Sequence, residues 1–493
     1  MTRLDEKMLR QLPALVRTPR YERTALPTGI VHLGIGAFHR AHQAVYTEAA
    51  IEAGDRDWGI VGVSLRSTDT RDALQPQDCL YTVGVRSGEG DKFQIVGAIR
   101  DILVAPENPQ AVLDRLCAAS VRIVSLTVTE KGYCHDPATG DLAGNHPDIV
   151  HDLADRESPR SVPGFLVEAL ARRRAIGLAP FTVVCCDNLP ANGKTVHRIV
   201  TQFAACRDRD LARYIEDNVA FPSTMVDRIV PATTDEDRAR VAAALGASDA
   251  WPVMTEPFSQ WVIEETFPRG RPDWALSGAQ FVADVEPYET MKLRLLNGSH
   301  SALAYLGYLA GHETVSAAMA DPVMSAFIAE LMDEEISPTL HVPADADLAG
   351  YKRALRERFR NPALKHRTWQ IAMDGTQKLP QRLLGTIRHR LAAGAAFERL
   401  ALVIAAWMLY VRGIGLDGRP IDVRDPLAVE LRRRADAAGQ DPAALVSALL
   451  ALPAVFGSDL AENPRFRERV TAQVGSLLRD GVTATLRQTI AAA

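Results

Sequence analysis

The chain has 493 residues, of which 47% are hydrophobic and 24% charged, and its formal net charge is −5. That length and composition imply roughly two large domains with their own cores. The slight acidity, with no basic run interleaved with aromatics, removes any general electrostatic reason to expect nucleic acid as a partner. The charged start Met1-Thr2-Arg3-Leu4-Asp5-Glu6-Lys7 is unlike a signal peptide, and no apolar run approaches the ~18 residues of a membrane span. The expectation is therefore a cytoplasmic protein with no membrane partner. Six cysteines, Cys79, Cys117, Cys134, Cys185, Cys186 and Cys206, lack C-x-x-C spacing, and the histidines lack H-E-x-x-H. They read as reduced thiols, and no metal is expected.

In chain order, Gly29-Ile30-Val31-His32-Leu33 reads as a buried strand running into Gly34-Ile35-Gly36-Ala37-Phe38-His39-Arg40. A helix-like segment continues to about Ala53, and Gly59 to Leu65 forms the next strand. This β-turn-α-β order is that of a dinucleotide-binding unit, in which glycines let the backbone approach a pyrophosphate. The pattern is G-x-G-x-x-H, with His39 where a third glycine would stand, and a purely structural turn fits the spacing equally well.

Val121 to Val128 and Phe181 to Cys186 extend the strand series, and both end in polar motifs: Thr129-Glu130-Lys131-Gly132-Tyr133 and Asp187-Asn188-Leu189-Pro190-Ala191-Asn192-Gly193. Ligands of open parallel sheets gather at the carboxyl ends of strands, so either motif can face a site; turn formation and helix capping account for them as well.

After about Glu286 the composition shifts to helix formers. Helices are expected over Pro322 to Glu335, Leu348 to Phe359, Gln381 to Ala393, Ala396 to Tyr410 and Pro426 to Ala438. Pro338, Pro343, Asp345 and Asp347 mark a loop. The expected domains are 1–285 and 286–493, with a cleft between them.

The densest chemistry lies in Met291-Lys292-Leu293-Arg294-Leu295-Leu296-Asn297-Gly298-Ser299-His300. On an α-helix at about 100° per residue, Asn297 lies roughly 140° and His300 roughly 80° around from Lys292, so all three can line one side of a cleft. A buried lysine loses charge more readily and can act as acid or base, and an asparagine amide can donate to an oxygen that gains charge. A solvated lysine, an Asn-Gly break and a satisfied histidine remain the plain alternative.

The Gly34-to-Gln43 motif, Thr224-Met225-Val226-Asp227-Arg228-Ile229-Val230-Pro231 and the Lys292-to-His300 motif together resemble the long-chain mannitol dehydrogenase family. The resemblance runs from about residue 28 to the end. It implies an α/β Rossmann-type N-terminal domain followed by a mainly α-helical C-terminal domain, and an NAD-linked, metal-independent polyol or sugar-acid dehydrogenase. Thr129 to Cys134 and Lys365 to Gly375 are most similar to the fructuronate reductase (D-mannonate oxidoreductase) branch. That branch implies interconversion of D-mannonate and D-fructuronate.

Carried onto this sequence, the resemblance makes Lys292 the acid/base, Asn188 and Asn297 donors to the reacting oxygen, His300 a substrate or lysine contact, and Glu289 a proton relay. Asp227 and Arg228 are expected near the nicotinamide or substrate. A uronate carboxylate needs a cation: Lys131 leads, with Arg367 and Lys378 behind it, while a loop lysine and a surface ion pair are the plain readings of the first two.

Gly34, Ile35, Gly36, Ala37, Phe38, His39 and Arg40 are the expected cofactor loop. NAD enzymes place an acid after the second strand, whereas this chain has Leu65-Arg66-Ser67 with Asp69 as the nearest acid. NAD is expected, and Arg66 leaves NADP open. A mannitol or other polyol 2-dehydrogenase is the alternative enzyme, and a non-catalytic sugar-acid or nucleotide sensor the alternative outside enzymes. The resemblance, with no heptad pattern, points to a monomer.

Overall fold

The computed structural model describes residues 2–136, 139–344, 346–364 and 366–491. Its contacts divide the chain into two units, Met1–Glu286 and Pro287–Ala493.

The first unit carries strands β1 (Thr28–Leu33), β2 (Gly59–Ser64), β3 (Tyr81–Ser87), β4 (Gly90–Val96), β5 (Ile99–Val104), β6 (Ile123–Leu126), β7 (Thr182–Cys185), β8 (Thr224–Asp227), β9 (Val253–Thr255), β10 (Gln260–Glu264) and β11 (Gln280–Val282). Five of them form a parallel sheet in the order β5-β2-β1-β6-β7. Side chains alternate across the sheet, and both faces are buried. Val31, Leu33, Val124, Leu126 and Val183 pack on one face with the helices Pro109–Leu116, Val162–Ala175 and Asn192–Arg207. Ile30, Ile60, Ile123 and Val184 pack on the other with the helix Gln43–Glu52. Burial on both faces is why these strands read as continuous apolar runs. The strand order reverses at β1, between β2 and β6, which opens a crevice at their carboxyl ends.

Two small sheets were not anticipated from the sequence. β3 and β4 form an antiparallel hairpin with β9 alongside, and β8, β10 and β11 form a second three-stranded sheet. β10 anchors the latter through Trp261, which is buried against Trp274 at 4.5 Å between ring centroids.

The second unit is helical. The helix Glu398–Tyr410 is buried from Arg399 to Tyr410, as an element apolar on all sides must be. The helices Gly298–Leu309 and Pro464–Ala491 pack against it. Three stretches widen into π-turns: Lys292–Asn297, Leu331–Ile336 and Pro380–Leu384. The expected helices Pro322 to Glu335 and Gln381 to Ala393 thus each include π geometry, and the first π-turn packs against the other two. Among the described residues no single helix is long and apolar enough to cross a membrane.

Candidate active site

The chain leaves β1 at Gly34, whose φ is +92° and whose Cβ, were there one, would lie 2.2 Å from the Thr127 carbonyl oxygen. Both constraints demand glycine. Gly62 of β2 plays the complementary part, since a Cβ there would meet Ile35 Cδ1 at 2.2 Å. The turn therefore lies flat on the sheet, and exposed Gly36 opens the next helix, Ala37–Ala41. Gly34, Ile35 and Gly36, with Ser64 to Ser67 after β2 and Thr127 to Thr129 after β6, line a cleft of about 970 Å³. Arg66 is in this lining. Asp69 is not: it is exposed and starts the helix Asp69–Leu74.

The rest of the expected cofactor loop turns the other way. Ala37 and Phe38 pack on the core, with Phe38 stacked 5.0 Å from His42. His39 is buried and stacks on His32 at 3.4 Å between centroids. His32 in turn contacts Ser125 Oγ and Thr127 Oγ1, each at 2.8 Å. Burial pushes His32 down to about 3 and holds His39 well below the usual imidazole range, so both are neutral at pH 7. Arg40 bonds the Trp251 carbonyl and lies over the Tyr81 ring. Their place in the motif is thus support beneath the loop, because only the glycine side of the turn faces the cleft.

The opposite wall is held by a residue that the sequence placed in a candidate strand-end motif without singling it out. Asp187, two residues beyond the end of β7, accepts from Val128 N at 2.8 Å, Thr129 N at 3.1 Å and Tyr133 OH at 2.6 Å. Thr129 has a left-handed φ of +66°, so the carboxylate fixes a turn that the backbone alone disfavours. Burial raises its pKa, while the three donors oppose the shift. The available signal was an acid immediately after a strand. Its neighbour Asn188 is exposed at the same carboxyl end. Lys131 lies in the turn Glu130–Tyr133, but its side chain is outside the described ones, as are Asp345 and Lys365.

Asp227 ends β8 and is buried. The Arg228 guanidinium donates to the carbonyls of Ala41 at 2.5 Å and Glu256 at 3.1 Å, joining three segments of backbone. Burial lowers its pKa.

In the second unit Lys292 is buried, with 7% of its surface exposed, at the start of the π-turn; Asn297 ends that turn half-buried, and His300 lies one helical turn further on. Regular α-helical spacing from Lys292 to His300 is therefore corrected. The wider i→i+5 turn shifts their relative directions, and such bulges recur at functional sites. His300 is buried, 4.7 Å from the Phe359 ring and 5.2 Å from the His366 ring, and among the described residues its Nε2 has no hydrogen-bond partner. Burial, then the nearby charges of His366, Arg358 and Arg382, hold it well below the ordinary range and so neutral. Glu289 is half-buried in the turn before Lys292.

Two cations expected at a substrate carboxylate are engaged elsewhere. Arg367 is exposed and pairs with Glu313 at 3.2 Å. The Lys378 ammonium caps the helix Thr368–Ala372, donating to Met373 O at 2.5 Å and Ile371 O at 3.3 Å. Helix C-termini attract cations for this purpose.

Among the described residues, one group, Cys134, His146 and Asp148, brings potential metal-ligand atoms within 4.8 Å of one another. Burial pushes the Cys134 thiol up to about 12, and His146 Nδ1 already accepts from Asp148 N at 3.3 Å. The donor set thus offers no ready thiolate, and one of its two imidazole nitrogens is already engaged.

A doubly wound sheet with its cleft at the switch point, followed by a helical unit with a buried lysine on a π-turn, defines a two-domain protein of the Rossmann type. Residues 28–276 match the mannitol dehydrogenase Rossmann domain and residues 284–478 the mannitol dehydrogenase C-terminal domain. A D-mannonate oxidoreductase of Escherichia coli (strain K12) is 48% identical over 472 residues, 94% of this chain and 96% of that protein. A mannitol 2-dehydrogenase of Aspergillus fumigatus is 41% identical over 497 residues, 98% of each. The structure of Pseudomonas fluorescens mannitol 2-dehydrogenase in ternary complex with NAD and D-mannitol matches with a TM-score of 0.88 at 41% identity, covering 100% of both chains. The chain belongs to the mannitol dehydrogenase family and is an oxidoreductase, as the sequence resemblance implied.

Proposed function

We propose that this protein interconverts D-mannonate and D-fructuronate with NAD, using Lys292 as the acid/base. The observation that carries the catalytic part is the buried Lys292 on a π-turn that also ends in Asn297. The choice of sugar acid is supported by the 48% identity to a D-mannonate oxidoreductase against 41% to a mannitol 2-dehydrogenase. NAD is supported by the complex of the Pseudomonas relative and by the fit of the glycine turn and cleft in the first unit.

When bound, NAD supplies or accepts the hydride. Lys292 donates a proton from its ammonium to the ketone oxygen in reduction and removes the alcohol proton in oxidation. Asn297 donates a hydrogen bond to that oxygen as its negative charge grows, which lowers the barrier more than it strengthens binding. Family resemblance assigns Asn188 the same donor role. Neutral His300 offers Nε2 to a substrate hydroxyl, and Glu289 passes the lysine's proton onward. Asp227 remains a candidate substrate or nicotinamide neighbour. In this reading the lysine takes the place of a Lewis-acid metal.

A mannitol 2-dehydrogenase is the second reading, favoured by the D-mannitol bound in the Pseudomonas structure. Oxidation of D-mannonate and D-mannitol side by side at alkaline pH, with NAD and then NADP, separates the two. A higher kcat/KM for mannonate with NAD is the expected result. Preference for mannitol would return the chain to the polyol dehydrogenases, and preference for NADP would give Arg66 a 2′-phosphate to bind.

A further inference from the structure

If the substrate is a sugar acid, its carboxylate needs a partner, and the second unit contains an arginine that fits. Arg382 lies on the π-turn Pro380–Leu384, and burial lowers its pKa. Among the described residues its guanidinium makes one hydrogen bond, a long one from Nη1 to Ser301 Oγ at 3.4 Å, and no carboxylate pairs with it. Arg399 of the same unit shows the usual arrangement, its guanidinium held by Glu330 and Glu335. A largely desolvated guanidinium without an acid is costly unless a ligand brings the anion.

Its position is specific as well. The π-turn of Arg382 packs on the π-turn of Lys292, and the approach is close enough that a Cβ on Gly298 would lie 3.0 Å from the Arg382 carbonyl oxygen. Ser301 follows His300 directly, and the charge of Arg382 reaches the His300 ring. Arg358 adds a second positive charge at the same ring. The neighbourhood of His300 is therefore cationic, which suits a carboxylate and gives a neutral polyol nothing extra.

We infer that Arg382 binds the substrate carboxylate and sets the preference for a sugar acid over the corresponding polyol. This rests on the sugar-acid reading above. Arg367 and Lys378 are engaged with Glu313 and with backbone carbonyls, which leaves Lys131 as the rival.

The test compares kcat/KM for D-mannonate and D-mannitol, with NAD, in the wild type and in Arg382→Gln, Arg382→Lys and Lys131→Gly, with NADH fluorescence titration as the check of an intact first unit. Arg382→Gln should lose roughly a hundredfold or more on mannonate and change less than about threefold on mannitol. Arg382→Lys should keep part of the acid preference with a raised KM, since an ammonium retains charge but not the bidentate fork. Should the glutamine variant fail to fold, the mannonate-selective rise in KM of Arg382→Lys decides. A wild type that prefers mannonate combined with equal losses on both substrates, no loss, or a preference abolished only by Lys131→Gly would overturn the role of Arg382 alone. A wild type that prefers mannitol would overturn the sugar-acid reading and this inference together.

Discussion

The two units of the chain put their chemistry on different atoms. In the first, the cleft is made by backbone: a glycine turn with left-handed φ, strand ends, and a loop pinned by Asp187. The motif side chains His39 and Arg40 face away from it into the core. In the second, the candidates are side chains, set on a stretch whose backbone departs from α-geometry. A motif residue in the first unit is thus more often a support than a contact, whereas Lys292, Asn297 and His300 are themselves the candidates.

The sharpest break of this contrast is Gly34→Ala. A Cβ at that position combines a disfavoured φ with a backbone clash and should cost about 3 kcal/mol or more, with cofactor affinity falling together with the unfolding midpoint. Near-normal NADH affinity would mean that the turn is not the cradle.

Asp187→Ala comes next. Removing an acceptor of three hydrogen bonds should cost about 2–4 kcal/mol, and its effect should appear in cofactor binding before turnover of bound substrate. Unchanged NADH affinity would show that the Thr127 to Tyr133 loop holds itself.

A smaller effect separates support from contact by pH. His32 is depressed to about 3 in the folded chain, so the unfolded state binds the extra proton below its ordinary pKa near 6.5 and stability is lost as pH falls. For this residue the loss between pH 6.5 and 5 is about 2 kcal/mol, and His39 acts in the same direction. A thermal midpoint that falls over this range in the wild type but less steeply in His32→Asn is expected; parallel profiles would place the acid sensitivity elsewhere.

The smallest effect belongs to Arg367→Ala. An exposed pair with Glu313 is worth at most about 0.5 kcal/mol, and activity on either substrate should stay within about twofold. A selective loss on mannonate would restore Arg367 as a carboxylate contact.

The same contrast explains what the sequence could reveal. β1, β2, β6 and β7 were legible because strands buried on both faces appear as unbroken apolar runs, and Gly34 because no other residue fits its place in the turn. In the small sheets β9 and β11 escaped because they are three residues long, too short for periodicity to register, whereas the seven-residue β3 and β4 were not read as a hairpin. The π-turns escaped for a different reason: Lys292 to Asn297 has no proline, and the segments it packs against, Leu331–Ile336 and Pro380–Leu384, are distant in sequence. Arg382 was passed over because an arginine in a helical stretch normally reads as solvated surface, and only its surroundings distinguish it. For Arg228 and Lys378 the converse holds: sequence does not show that backbone carbonyls already bond these cations.

The most direct test of the account is Lys292→Ala, measured for NADH binding and for mannonate oxidation on the same preparation. The account predicts cofactor affinity within about twofold of the wild type, because the cradle belongs to the first unit, together with at least about a thousandfold loss of hydride transfer. Retained turnover, or loss of both properties together, would contradict it.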